Sequence, residues 1–246
     1  MKLYEMEFGV YPRRVSIYLA EKGITDVERS PFDLSQGWPP KDMPKLSPLG
    51  TVPILQVDQD IIIRSSIAIL EYLEERYPTP PMIGSTLAEK ARTREFVALA
   101  DEATTMFSFW VRKASPLFTG REELNRDAAR LGAEWYYRRL REIDMLMSEK
   151  EGEFLVGNSP TIADCITYST VQFAHDLYDV PYPEDAPRLM DWFHRFAARP
   201  SATSVPFPAD LRAATQGLPA LTWADYNLNV VCPGSGSVTA SACDTR

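Results

Sequence analysis

Nucleophilic and metal-ligating side chains are scarce in this chain, with two histidines and three cysteines in 246 residues. His175 and His194 stand apart from each other and from any cysteine cluster, so the pattern yields neither a zinc-type ligand set nor a hydrolase triad. Cys165, Cys232 and Cys243 lack metal-site spacing, and an odd count gives no disulfide framework. Cys165 shares a helical period with Ile162, Ile166 and Ser169, which reads as a small core residue. No apolar run approaches the ~18 residues that a membrane helix needs, and the chain opens on a polar alternation, not a charged start with an apolar signal core. Basic excess is absent too. The formal net charge of -8 argues against nucleic acid or an anionic membrane as partner, because both demand a cationic face. Arg138, Arg139 and Arg141 lie among acids on a helical pattern and read as a solvated face. These absences set the expectation of a cytoplasmic globular protein without metal, and a hydrophobic share of 45% is enough for a buried core.

What is present falls into two halves. Tyr4, Met6 and Phe8 alternate with Glu5 and Glu7, the period of a strand. Pro12 suits the first turn of a helix carrying Val15, Tyr18 and Leu19, which Gly23 stops. A second strand runs near Val27 to Phe32. Ile54, Leu55 and Val57 turn through Asp58, Gln59 and Asp60 into Ile61 to Ile63 as a hairpin, and a helix follows from Ser66 to Tyr77. This order suits a small mixed sheet of the thioredoxin kind over residues 1–78. Pro78, Pro80, Pro81 and Gly84 mark a linker at 79–86. The rest, 87–215, reads as an all-α bundle. One long helix carries Ala91 to Val111. A second carries Leu124, Ala128, Leu131 and Trp135, drifting to Tyr136, Leu140, Ile143 and Met147. Thr161 and Asp164 form a capping-box pattern before Ile162 and Ile166, and a last helix holds Leu189, Trp192, Phe193 and Phe196. Residues 216–246 form an extension. Leu221, Trp223 and Tyr226 are apolar enough to pack back, and 232–246 is poor enough in apolar residues to be mobile.

Chemistry concentrates around Gly50, Thr51, Val52 and Pro53, and around Ser65 and Ser66. A proline at a strand start cannot donate to the ladder, so it belongs on an edge or in a cis turn, where main-chain groups are left for a ligand. Ser66 reads as the cap of its helix, with free amides and a positive dipole end suited to an anion.

The early helix from Pro12 to Gly23, the loop Ser47 to Pro53 and the helix Ser65 to Tyr77, in this order and spacing, resemble cytosolic glutathione S-transferases over about residues 1–203. The resemblance implies glutathione as co-substrate, a cis bond at Pro53, and Val52 pairing with the cysteinyl backbone like an added strand. It puts Ser66 on the γ-glutamyl carboxylate. Ser65 stands where many members carry an acid or Gln for the ammonium group. Lys41 is a donor to the glycyl carboxylate or a solvated lysine. Gly9 occupies the position of the usual catalytic Ser or Cys, and in this the chain is most similar to a fungal and bacterial class with Gly or Ala there.

Lowering a thiol pKa of about 8.5 by two units takes roughly 2.7 kcal/mol. A helix end supplies about 0.3 to 1, at most about 2 kcal/mol, so a further donor is required. Its candidates are Tyr11, Ser115 and Arg112, with the Gly9 to Pro12 backbone; Tyr11 reads equally as a wall of the electrophile pocket. Arg13 and Arg14 read as surface residues, or either adds positive potential to the site. Phe8, Tyr11, Phe107, Trp110 and Phe118 are candidate walls, although aromatics at helical spacing also build cores. Three functions follow: transfer of glutathione to a hydrophobic electrophile, in detoxification or secondary metabolism; glutathione-dependent double-bond isomerisation; or a non-catalytic binding module. The family also implies a homodimer.

Overall fold

The structure is a computed structural model, and it describes residues 1–33, 39–41 and 43–223. The expectations for the mobile tail and for Tyr226 lie outside the described residues. The first domain is β1 (Lys2–Glu5), α1 (Val10–Lys22), β2 (Glu28–Pro31), α2 (Met43–Leu46), β3 (Ile54–Gln56), β4 (Ile62–Ile63) and α3 (Ser66–Arg76). Its sheet has the order β2-β1-β3-β4, with β1 parallel to β2 and antiparallel to β3, and β3 and β4 joined as the expected hairpin. This is the thioredoxin-like arrangement.

The alternation in β1 runs opposite to the sequence reading. Leu3 and Glu5 face inward with no exposure, Tyr4 is half-buried, and the strand ends at Glu5, so Met6 and Phe8 are not strand residues. Inward Glu5 is tolerated because Arg29 pairs with it and Ser16 donates to it. Burial pushes the Glu5 carboxyl up, against the hydrogen bond from Arg29. A turn closed by Gly9 N–H to Met6 C=O (2.8 Å) then launches α1, and Gly23, at φ 68, ends it with its N–H on Ala20.

The second domain comprises α4 (Leu87–Ala114), α5 (Arg126–Met147), α6 (Ile162–Tyr178), α7 (Pro187–Ala197), α8 (Ala209–Thr215) and α9 (Leu218–Thr222). Helix α4 opens on a capping box between Thr86 and Glu89. It crosses α5 where a Cβ on Gly132 would lie 3.0 Å from the Trp110 backbone nitrogen, so only glycine permits that approach. The buried face of α5 is Ala129, Ala133, Tyr136, Leu140 and Ile143, while Leu124 and Leu131 of the expected stripe point outward. Leu124 precedes α5, and Leu131 adjoins Gly132, the residue that meets the α4 backbone at the crossing.

Helix α6 is buried almost all round and is the axis of the bundle. Asp164 at its start accepts from Thr161 N–H and hydroxyl, Leu155 N–H and Trp192 Nε1, at 2.7 to 3.0 Å. Cys165 beside it is fully buried, and burial pushes its thiol well up, as a core residue and not a nucleophile. Trp110 donates to Thr222 at 2.6 Å, which seats α9 back on the bundle.

Two fasteners join the domains besides the packing of α1 on α6. Glu74 takes Tyr18 hydroxyl (2.7 Å), Lys22 (2.6 Å) and Met82 N–H (3.0 Å), and Met82 C=O takes Ile162 N–H (2.8 Å). Glu21 on α1 holds Arg199 through two 2.7 Å bonds and also accepts from Ser201. Burial opposes the charge on Glu21, but the Arg199 and Ser201 hydrogen bonds outweigh it and hold the carboxyl below its ordinary 4.5. A depressed carboxyl stabilises the fold above its unfolded pKa and loses that contribution as pH falls through the folded value. Comparing urea unfolding of the wild type and Glu21→Gln from pH 7 downwards, we expect a gap that is constant above about pH 5 and closes in more acidic solution. A gap that widens on acidification contradicts the assignment.

Candidate functional site

The strand registers gather the candidate elements at one end of the sheet. Tyr4 lies opposite Ile54, and Leu55 opposite Ile63. Val52 and Pro53 precede β3, the segment Met6 to Gly9 follows β1, and Ser65 and Ser66 follow β4, so the three segments leave the sheet at the same end. The Val52–Pro53 peptide bond is cis. Among the described residues, Val52 N–H and C=O have no hydrogen-bond partner, and neither do the amides of Val10, Tyr11, Ser66, Ile67 and Ala68. The loop before β3 and two helix N-termini therefore lie at one end of the sheet with main-chain groups unspent.

Ser65, not Ser66, is the residue that precedes α3, with an extended backbone; its side chain is exposed and makes no cap bond. Ser66 is buried, and its hydroxyl accepts from Arg14 Nη1 at 3.2 Å. The reading of Arg14 as a surface residue is overturned. Its side chain has no exposure, Nη1 also reaches Asp101 (2.7 Å), and Nη2 reaches Thr104 (2.5 Å), which pairs with Thr170 (2.6 Å). The guanidinium lies 4.7 Å from the Tyr11 ring centroid. Burial lowers the Arg14 pKa against the pull of Asp101. Arg13 is likewise buried, donating from Nη2 to Thr203 C=O at 3.0 Å.

The other sequence-derived residues are dispersed. Tyr11 is half-buried in the first turn of α1, and its hydroxyl makes no hydrogen bond among the described residues. Lys41 is exposed. Ser115, buried at the end of α4, accepts from Leu117 N–H at 3.4 Å, and exposed Arg112 pairs with Glu122 at 2.9 Å and lies over Phe118. Both follow Thr104 by about two to three helical turns, roughly 12 to 16 Å along α4. Phe107 and Trp110, exposed by 1% and 0%, pack among Tyr136, Tyr137 and Tyr178 in the helical core.

A shallow crevice of about 10 Å³, room for about one water molecule, opens beside the start of α1, lined by Phe8, Arg13, Ser169, Gln172, Phe173, Ser204, Val205 and Phe207. Phe8 meets Phe207 edge-on at 5.9 Å, Phe207 meets Phe173 at 6.0 Å, and Phe173 in turn meets Phe107. Of the expected walls, Phe8 lines this space and Phe107 stands one ring behind it. Sequence reading missed Phe173 and Phe207, and it gave Arg13 as a surface residue or a source of positive potential, not as a buried one. An Arg-Arg pair on a helix looks like a solvated face, and Phe207 lies in a Pro-flanked stretch without periodicity.

Comparison with known proteins gives the same picture. The glutathione S-transferase N-terminal domain matches residues 3–81 and the glutathione S-transferase C-terminal domain matches residues 117–203. A solved glutathione S-transferase domain-containing protein of Marinobacter aquaeolei VT8 is 30% identical, with a TM-score of 0.72, over 82% of this chain and 100% of that one. Glutathione S-transferase 2 of Saccharomyces cerevisiae is 29% identical over 82% of this chain and 87% of its own length. The maleylacetoacetate isomerase of Pseudomonas aeruginosa is 41% identical over 40% of this chain and 48% of its own. The chain spans less than half the length of several such curated relatives.

Arg14 ties the start of α3 to α4, so its removal should loosen both. Arg14→Met is expected to lower the unfolding free energy by about 3 kcal/mol in urea titration, the low end of the cost of orphaning a buried pair because Asp101 retains access to water. A loss under about 1 kcal/mol contradicts that role.

Proposed function

Because the chain belongs to the glutathione S-transferase family, we propose that it is a cytoplasmic homodimer that binds glutathione against Val52 and the first turn of α3 and activates the thiol for attack on an apolar electrophile. The gathering of Val52, the α3 amides and the α1 amides at one end of the sheet carries this reading. The tripeptide backbone extends the sheet at Val52, its γ-glutamyl carboxylate meets the amides of Ser66 and Ile67, and Ser65 meets the ammonium group. The sulfur then lies at the start of α1, where Val10 and Tyr11 offer N–H groups and Pro12 offers none. Gly9 brings no hydroxyl, so the donor that completes thiolate stabilisation is the Tyr11 hydroxyl. Tyr11 is close to the α1 amides and its hydroxyl is uncommitted, whereas Ser115 and Arg112 already have partners of their own.

Sulfur attacks the electrophilic carbon, the leaving group departs with its electron pair, and the thiol proton passes to solvent. The partial match to maleylacetoacetate isomerase favours a second reading, in which the thiolate adds to an activated double bond, permits rotation and is expelled, with no net glutathione consumed.

Calorimetric titration with glutathione and an ultraviolet titration of the bound thiolate test the proposal. We expect binding in the micromolar-to-millimolar range and a thiol pKa below its free value of about 8.5. Ser66→Ala should weaken glutathione several-fold by releasing Arg14 Nη1 from the start of α3. Absence of binding contradicts the reading, and binding without a lowered pKa limits the protein to carriage.

A further inference from the structure

The segment 203–208 leaves the short turn at Pro200–Ala202 and runs past the start of α1 into α8. Its two ends are fastened. Arg13 Nη2 donates to Ala202 C=O (3.5 Å) and Thr203 C=O (3.0 Å) at one end, and Pro208 C=O accepts from Arg212 N–H (3.0 Å) at the other. Between them, among the described residues, no hydrogen bond involves Ser204, Val205, Pro206 or Phe207, and Ser204 and Pro206 are exposed. What holds this strap is Phe207, half-buried and meeting Phe8 edge-on at 5.9 Å and Phe173 at 6.0 Å. A stretch without main-chain bonds opens more readily than the helices it joins. Pro206 and Pro208 fix their own φ, so the freedom lies at Thr203 to Val205, next to the Arg13 anchor.

The place of that ring contact bears on the reaction. Phe8 precedes Gly9, the residue before α1, so Phe207 sits beside the point at which the glutathione reading puts the sulfur. An apolar electrophile has to reach that point, yet the crevice under the strap, about 10 Å³, holds about one water molecule. Phe173 is backed by Phe107 at 6.2 Å and Phe107 belongs to the core, so the α6 side does not yield the space. Phe207 does, because its departure breaks two ring contacts and, among the described residues, no hydrogen bond. It leaves Phe8 and Phe173 as two free rings, a seat that another apolar group of similar width fills with equivalent contacts.

We propose that the segment 203–208 is a gate held shut by Phe207, and that the apolar arm of the electrophile or of its glutathione conjugate opens it by taking the place of the Phe207 ring between Phe8 and Phe173. The strap swings from the Arg13 anchor while the bundle stays in place. This deepens the glutathione reading by naming how the apolar site is regulated, and it rests on that reading for the ligand but not for the motion of the strap. Because the ring and the arm compete for one seat, a gate lowers the affinity for the arm. A fixed aromatic wall does the opposite and raises it.

The binding test titrates glutathione and S-hexylglutathione by calorimetry into the full chain and into Phe207→Ala. Phe207→Ala should bind S-hexylglutathione about 10-fold more tightly while glutathione stays within about twofold, because the competing ring is gone and the tripeptide contacts are untouched. A weaker S-hexylglutathione complex in Phe207→Ala would make Phe207 a fixed wall and overturn the proposal. An unchanged ratio of the two affinities overturns it too, as does a wild type that binds glutathione but not S-hexylglutathione.

A second arm keeps the ring in place, with 4-fluorophenylalanine incorporated at position 207 and followed by fluorine NMR. S-hexylglutathione should carry the resonance toward its value in the urea-unfolded chain, and glutathione should not. 1,3-Dinitrobenzene, an apolar ring without a leaving halide, should produce the same movement by itself. A resonance that saturating S-hexylglutathione leaves in place, or that glutathione alone already moves, overturns the proposal. Failure of the wild type to bind glutathione would defeat the family-based reading, and the dinitrobenzene titration then decides the gate: movement of the resonance supports it and a fixed resonance overturns it.

Discussion

The fold turns on a single buried cation. Arg14 leaves α1 and meets Ser66 at the opening of α3, Asp101 and Thr104 on α4 and, through Thr104, Thr170 on α6. Four helices from two domains are fixed by one planar group whose fork geometry tolerates little displacement. An ion pair of this kind adds little net stability over an apolar substitute of the same shape, but it is costly to break and specific in geometry. The register between the sheet and the helical bundle is therefore set at the start of α3, beside the proposed ligand site.

That constraint suits the proposed site, which relies on main-chain groups. Backbone amides at Val52, at the start of α3 and at the start of α1 would bind by position alone, and they leave the sheet at one end, where the Arg14 network fixes α1 and α3. Gly9 then ceases to be a defect. A Cβ there would lie 3.0 Å from Met6 Cε and 3.1 Å from Met6 C=O, so the turn that launches α1 leaves little room for a side chain. In the proposed reaction the stabilisation of a thiolate falls to the helix end and to groups around it.

Much of this architecture was legible in the sequence because it is local. The hairpin through Asp58 to Asp60, the Thr161 and Asp164 box and the Val52–Pro53 step are carried by neighbouring residues. The errors arose where tertiary contact decides. The alternation in β1 pointed Glu5 outward, yet Arg29 and Ser16 compensate it inside. Two consecutive arginines on a short helix looked solvated, and nothing nearby in the chain announces Asp101, which is 87 residues away. Phe107 and Trp110 have the composition of a pocket wall but sit in the core, and Phe207 has the context of a loop but lines the crevice. Side-chain type indicates what a residue can do; only packing decides which space it faces.

The most direct test of the account is amide mapping by heteronuclear NMR as glutathione is added to the labelled protein. The account predicts that the largest shifts fall on Val52, Ser66, Ile67, Val10 and Tyr11, three segments remote in sequence that converge on one ligand. Shifts confined to one of these segments, or centred elsewhere on the molecule, would contradict it.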